Sequence, residues 1–472
     1  MKMFKKKKFS CTWALFILWL TLGFQREALG VLVPGPVIPI TTSGDILTPV
    51  VVSGTAAGFV ITCTDSNMDL VSSFANDGVT WSTPSLLTFS QLYTGVWVSV
   101  NSSGTMATFI GDPLSMGYST AAPYGFFSTD QGFMWTTQTR IEMSSTVATP
   151  VVVGSRNTGF MATWRDTADN NPYSAFSVHG LLWLKVPITN TGTVNSAVMV
   201  AGSTVGFLTA WQDTSNNAFA SFSSDDGLTW SAPVAITSTS DVASDVWVAS
   251  RGLGFMAVWV SNVGNAYSSF SSNNGATWSP PSLIAMNTQI NTDVSVSGNM
   301  AGFYVAGIAL DSNAYASFSS NNGTTWLAPV SITTDNSVSG SNTGTAFGFV
   351  DVSAVGNSYM FTWLDVHGNA QSSFAGSGPP AILPPANLTG RQRKNNFGLQ
   401  YELFNTLKWN ASPSFNVAGY NIYKNGVLIT SVNRFTLQYK QHNQKKGAET
   451  LYSVTAFDLM GNESTEIDVI IP

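Results

Sequence analysis

One sequence block recurs at a fixed spacing, and that periodicity restricts the chain to a repeat architecture. GFMATWRDTADNNPYSAFS starts at Gly159, GFLTAWQDTSNNAFASFSS at Gly206, GFMAVWVSNVGNAYSSFSS at Gly254 and GFYVAGIALDSNAYASFSS at Gly302. The offsets are 47, 48 and 48 residues, and weaker copies at Gly58, Gly104 and Ser358 make seven. Each unit reads as four short strands. In the fifth, strand A is VWVAS from Val246, strand B is FMAVWV from Phe255 and strand C is AYSSFSS from Ala266; strand D runs from Thr277 to Ile284. β-Branched and aromatic residues fill the strands, with Asn, Gly and Asp at the bends. Four strands per repeat predict the blades of an all-β propeller. The seventh unit ends near Phe374 without a strand D, and PGPVIPIT from Pro34 resembles the strand-D string LAPVSIT from Leu327. Pairing the two would close a seven-bladed ring over residues 31–375 and remove a sheet edge.

The rest of the chain sets limits. Residues 1–30 read as a signal peptide: Lys2 and Lys5 to Lys8 are basic, Trp13 to Phe24 is apolar, and Ala28-Leu29-Gly30 supplies a cleavage site. The apolar stretch is shorter than the roughly 20 residues a membrane span needs. No transmembrane span is expected after cleavage, and the protein is expected to be secreted or held at the cell surface as a monomer. Cys63 would then be the single cysteine, a buried inert thiol. Charged residues make up 10% of the chain, against about 25% in ordinary soluble proteins. Val31 to Gly378 holds 19 acids and 5 bases, a balance of −14; Pro379 to Pro472 holds 6 acids and 9 bases, a balance of +3. So acidic a main body argues against a nucleic-acid partner.

The turn between strands C and D carries a family signature. SSDDGLTW (Ser223, Asp225, Gly227, Trp230) follows the Asp-box pattern S-x-D-x-G-x-T-W, and STDQGFMW (Ser128, Asp130, Gly132, Trp135) is close. SSNNGATW (Ser271, Asn273, Gly275, Trp278) and SSNNGTTW (Ser319, Asn321, Gly323, Trp326) carry Asn for Asp. The chain therefore resembles the sialidase-like Asp-box (BNR) repeat family, whose usual blade number makes six blades the alternative. The box is a structural device: its Asp accepts turn N–H groups, its Gly allows positive φ and its Trp packs between sheets. After a Pro/Gly linker at 376–386, LKW at Leu407, GYNIYKNG at Gly419 and LYSVTAFD at Leu451 resemble a fibronectin type III domain over 387–472. The resemblance implies a core Trp409 and a tyrosine-corner role for Tyr452.

Alternating strand direction puts the B-to-C and D-to-A loops on one face, where the family places its active site. Thirteen Asp residues fall there: Asp45, Asp65, Asp69, Asp112, Asp166, Asp169, Asp213, Asp241, Asp245, Asp293, Asp311, Asp335 and Asp365. The family binds its substrate carboxylate with three arginines and uses a Tyr–Glu pair with an Asp acid/base. Only Arg165 approaches this face. Arg156 and Arg251 fall on the opposite one, Arg140 and Lys185 lie by outer strands, and Glu142 is the one Glu of the repeat region. The leading reading is a non-catalytic exported protein binding a glycan or an extracellular protein through this face. Tyr118, Tyr124, Arg165, Asp166 and Asp213 are its candidate contacts. The alternative is a glycoside hydrolase, sialidase-like or acting on neutral glycans, using Asp residues of the same face. A structural cell-envelope protein is the second alternative. Asp166 and Asp213 also fit Asx-turns, and the run DTADNN from Asp166 offers oxygen ligands for calcium, the one cofactor considered. No other metal site and no catalytic residue is assigned. Tyr118 and Tyr124 sit in an expected long B-to-C loop, and Trp97 and Trp247 are expected to pack between blades.

Overall fold

The structure, a computed structural model, describes residues 33–55, 58–87, 92–111, 122–130, 132, 134–142, 146–147, 150–286, 289–339, 349–376, 384–398, 400–412, 417–447, 449–457 and 463–472. The expected signal segment, Tyr118, Asp112 and most of the linker lie outside these residues. Two compact units divide the chain, Met1–Ser377 and Gly378–Pro472. The described residues are all-β, and no helix among them is long and apolar enough to cross a membrane.

Unit 1 carries seven four-stranded antiparallel sheets among its described residues. Their first strands are Val51–Thr55, Leu92–Asn101, Val152–Arg156, Met199–Gly202, Trp247–Arg251, Ile290–Gly298 and Asp351–Val355, which number the sheets 1 to 7. Each first strand touches the next, and that of sheet 7 touches that of sheet 1. The repeated sheets fit a propeller. Sheet 7 takes its fourth strand from Val37–Pro39, with Val37 opposite Ser373 and Pro39 opposite Gln371, as the sequence comparison expected. Proline is tolerated in this outermost strand because one side of it needs no ladder donor.

In each sheet strand B is fully or almost fully buried, and strand D is half-buried or exposed. Strand B is buried throughout in sheet 5 (Gly254–Val260), while strand C (Ala266–Ser271) alternates between buried and half-buried. Strand D is only Ser282–Leu283, much shorter than expected. Cys63 is buried in the core, and burial, then the carboxylates of Asp65 and Asp45, push its thiol far up.

Two side-chain joints repeat between neighbouring sheets. In the first, a strand-C Phe meets the strand-B Phe of the next sheet edge-on. The pairs are Phe127–Phe160, Phe176–Phe207, Phe222–Phe255, Phe270–Phe303 and, closing the circle, Phe374–Phe59, with centroids 5.8–6.1 Å apart. In the second, the indole of the C-to-D turn donates backward to a strand-C serine of the preceding sheet. Trp81 donates to Ser372, Trp135 to Ser72, Trp230 to Ser174 and Trp326 to Ser268, at 3.0–3.2 Å. The corresponding residues facing Trp183 and Trp278 are Gly125 and Ala220. Trp183 bonds its own turn instead, and the Trp278 Nε1 is buried without a partner.

The C-to-D turns are held by their own side chains. Asp225 accepts from the Thr229 N–H at 2.9 Å and Ser223 Oγ accepts from the Gly227 N–H at 2.8 Å. Asn273 and Asn321 accept in the same way from Thr277 and Thr325. Gly227 has φ +83°, and a Cβ there would stand 2.6 Å from Met161 Cε of the neighbouring sheet.

Unit 2 stacks a three-stranded sheet on a four-stranded one. The first runs in the order Ala386–Phe397, Gln400–Asn410, Gln438–Gln441; the second runs Val427–Asn433, Gly419–Lys424, Thr450–Phe457, Ile467–Ile471. Trp409 packs edge-on against Tyr420 at 5.6 Å in the core. The Tyr452 phenol accepts from Asn405 Nδ2 at 3.1 Å and donates to Gln441, tying the two sheets.

The serine–indole rule yields a paired prediction. Ala220→Ser gives Trp278 an acceptor and should raise the unfolding free energy by about 1 kcal/mol, whereas Ser268→Ala, which removes one from Trp326, should lower it by about the same. Urea unfolding of both variants measures this, and an unchanged midpoint for either would show that the indole bond is not what the serine supplies.

Candidate functional site: the loop face and its central mouth

Hydrogen bonds settle which turns share a face. Arg156, at an A-to-B turn, reaches Asp226 in the next C-to-D turn at 3.3 Å, and Arg251 reaches Asn322 at 2.8 Å. These two arginines therefore lie on the turn face, away from the loop face, as expected. On the loop face, D-to-A loops are clasped to B-to-C turns by bridges at Ile46–Asp65, Val147–Asp166, Val194–Asp213, Val242–Ser261 and Val338–Asp365.

Most of the carboxylates on this face are consumed locally. Asp65, Asp166, Asp213 and Asp365 occupy the same repeat position. Each accepts backbone N–H groups of its own turn, such as Ser215 and Asn217 on Asp213 at 3.0 and 2.8 Å. Asp166 also accepts from Thr146 Oγ1 at 2.6 Å. Asp169 and Asp311 accept from the phenols of Tyr173 and Tyr315 at 2.7 and 2.8 Å. Burial pushes Asp169 up, but the Asn171 N–H and the Tyr173 phenol outweigh it and hold the carboxyl low. The Tyr173 phenol, bonded to Asp169, is pushed up to about 12, the opposite of what a tyrosine nucleophile requires. Both carboxylates of the DTADNN turn thus face their own neighbours. No group of three His, Cys, Asp or Glu side chains suited to a metal occurs among the described residues.

Tyr124 is not on a loop. It lies in the strand Ala122–Ser128, 5% exposed, with its ring stacked on Phe109 at 5.7 Å. The strand starts earlier than the repeat suggested, because Ala122 and Tyr124 have apolar neighbours to cover them. That removes Tyr124 as a surface contact.

The residues that do converge surround the centre of the ring. Trp97 of sheet 2 and Trp247 of sheet 5 meet at 5.1 Å, and Phe349, just before sheet 7, lies 6.0 and 5.0 Å from them. Sheets 2 and 5 are not neighbours, so these rings meet across the axis and fill it. The expected packing between adjacent blades is corrected on this point. At the same end stand Asp245 and Asp293, at matching repeat positions two residues before the channel position. Asp245 accepts from the Ala197 N–H at 2.9 Å, and Asp293 accepts from the Asp245 N–H at 3.1 Å. Burial pushes both carboxyls up; the charge of Asp245 adds to the rise at Asp293, and Arg165 opposes it at Asp245. Arg165 donates to Val194 O at 3.2 Å, and burial lowers its pKa against the pull of Asp245. A half-buried guanidinium and two half-buried carboxylates thus rim an aromatic floor. Sequence reasoning named Arg165 but treated Asp245 and Asp293 as two acids among thirteen. Their 48-residue offset was the available signal.

One carboxylate lies deeper. Asp351 replaces the channel residue of sheet 7, is 4% exposed, and accepts from the N–H groups of Val52 at 2.8 Å and Val352 at 2.9 Å. Burial outweighs these bonds and raises it to about 7.

No protein-family model and no curated protein matches this chain. Among solved structures, a Dyadobacter fermentans protein of unknown function is 13% identical, with a TM-score of 0.43, covering 72% of this chain and 98% of its own. The fungal lectin of Aleuria aurantia, a six-bladed β-propeller described by its fucose recognition, is 11% identical with a TM-score of 0.43, covering 61% and 98%. AofleA of Arthrobotrys oligospora is 9% identical with a TM-score of 0.39, covering 76% and 91%. The chemistry of the loop face is read from its own residues.

The raised carboxyls set a pH dependence. An ordinary Asp titrates near 3.9, so the folded state holds the Asp351 proton more tightly than the unfolded one. Its contribution to stability is present at low pH and is lost as pH rises through about 7; Asp245 and Asp293 act in the same direction. Urea unfolding should show on the order of 2 kcal/mol less stability at pH 7.5 than at pH 5 from Asp351 alone. Asp351→Asn should remove that difference, and a variant that keeps the full slope would exclude Asp351 as its source.

Proposed function

We propose that this is an exported, monomeric, non-catalytic recognition protein. Its seven-bladed Asp-box propeller binds a glycan on the loop face, and its fibronectin type III-like domain acts as spacer or second contact. The blade count is supported by seven sheets in cyclic contact and by the Phe374–Phe59 joint that repeats the others. The second-domain reading is supported by its strand order and by Trp409 and Tyr452.

The observation that carries the function is how the loop-face carboxylates are used. Among the described residues most of them hold turns, phenols and neighbouring N–H groups, and Arg165 is the one arginine on that face. A sialidase needs a cluster of guanidinium groups for its anionic sugar. A neutral glycan needs planar donors and acceptors beside apolar surface. The mouth offers Arg165, Asp245 and Asp293. Exposed Val263, Leu310 and Val366, at the B-to-C turns of sheets 5, 6 and 7, supply apolar surface on the same face.

A glycan array run beside turnover assays on sialosides and neutral glycosides tests the reading. Binding without turnover is expected, and Arg165→Ala or Asp245→Asn should weaken it about tenfold, the loss of one charged hydrogen bond. Turnover abolished by Asp-to-Asn changes on the loop face would establish a hydrolase instead. Silence in both assays would point to a protein ligand or a structural role.

A further inference from the structure

The chain's cations concentrate in unit 2, and strand register gathers four of them on one surface. In the three-stranded sheet, Arg391 stands opposite Thr406, which stands opposite Lys440. Thr389 stands opposite Lys408, and Arg393 opposite Phe404. Directly opposed residues share a face, as do alternate residues along a strand. Leu407 and Trp409 belong to the core. Thr406 and Lys408 therefore point to the other side, with Arg391, Arg393 and Lys440. All four cations are exposed. Successive rows lie about 7 Å apart and strands about 5 Å apart, so the cations cover a strip roughly 14 Å long. None makes an ion pair among the described residues, and the one acid on the strip, Glu402, is held by His442 at 2.8 Å.

A second observation points to the middle of the strip. Thr406 is only 9% exposed, and its buried hydroxyl has no hydrogen-bond partner. It lies between Arg391 and Lys440. An anionic oxygen seated between those two cations would accept the hydroxyl proton in a short charge-assisted bond.

We propose that this sheet face binds a linear polyanionic polysaccharide, with the Arg391–Thr406–Lys440 row holding one anionic group and Arg393 and Lys408 its neighbours. Unpaired like charges on adjacent strands oppose folding, and a chain of regularly spaced sulfates or carboxylates neutralises them along the strip. The aromatic side chain within the strip, Phe404, stacks with His442 at 5.8 Å and lies 6.0 Å from Lys440 Nζ. The acidic loop face of a second copy is a poorer partner, since its carboxylates are engaged in their own turns.

Calorimetric titration of the full chain with heparin, the sulfated probe, tests this, with neutral dextran, oligothymidylate and phosphatidylglycerol vesicles as comparison arms. Saturable heparin binding is expected, weakening about tenfold between roughly 50 and 300 mM salt as the charges are screened. The double change Arg391→Ala, Lys440→Ala should weaken it by at least about tenfold. Thr406→Val, which keeps the shape and removes the hydroxyl, should weaken it several-fold with an unchanged thermal midpoint; a merely structural threonine would leave binding intact. If the double variant fails to fold, Lys408→Ala and Thr406→Val carry the test singly. Absent heparin binding, binding indifferent to these changes, or equal or tighter binding to dextran, oligonucleotide or vesicles would overturn the proposal. Because the loop-face variants lie in the other unit, they should leave heparin binding unchanged, so the two proposals fail separately.

Discussion

The edge-on meeting of two phenylalanines, made at five of the seven sheet boundaries, is the contact on which unit 1 depends. A four-stranded sheet this narrow cannot cover its own faces, so each sheet depends on its neighbours. Phe374 and Phe59 make the joint from opposite ends of the repeat array at the same spacing as the internal ones. The serine–indole bond adds direction: every indole that donates across a boundary donates backward, so the ring has one sense of rotation built into its side chains.

Closing the ring brings its first strands to the axis, and the space left there is filled according to local size. Val51, Val152, Met199 and Ser295 occupy four of the channel positions. Trp97 and Trp247 are too large for their own sectors and extend until they meet across the centre, with Phe349 completing the fill. Asp351, at an equivalent position, satisfies two backbone donors there while losing much of its hydration. The chemistry of the mouth above this floor comes from Arg165, Asp245 and Asp293.

The repeat offsets, the borrowed outer strand at Val37–Pro39 and the turn geometry at Asp225, Asn273 and Asn321 were all legible from residue order. Each is local, or is a copy of a local pattern. What could not be read depends on closure. The meeting of Trp97 with Trp247 follows from the curvature of the whole ring, which no single repeat encodes. Tyr124 looked like a loop residue because the repeat sets strand lengths only on average, and burial of its neighbours extended the strand. Asp245 and Asp293 were counted among surface acids, although their matched position two residues before the channel residue marked them as acceptors for the adjoining sheet.

The fourth strand of sheet 7 also has a mechanical meaning. Val37 pairs with Ser373, and Gly35 N–H donates to Phe374 O at 2.9 Å. The chain segments before Gly35 and after Phe374 therefore leave the pair at the same end. Tension between them loads these bonds one after another and does not shear them together. A pull transmitted through both ends of unit 1 would peel this short clasp first, leaving the internal boundaries unloaded until the ring has opened.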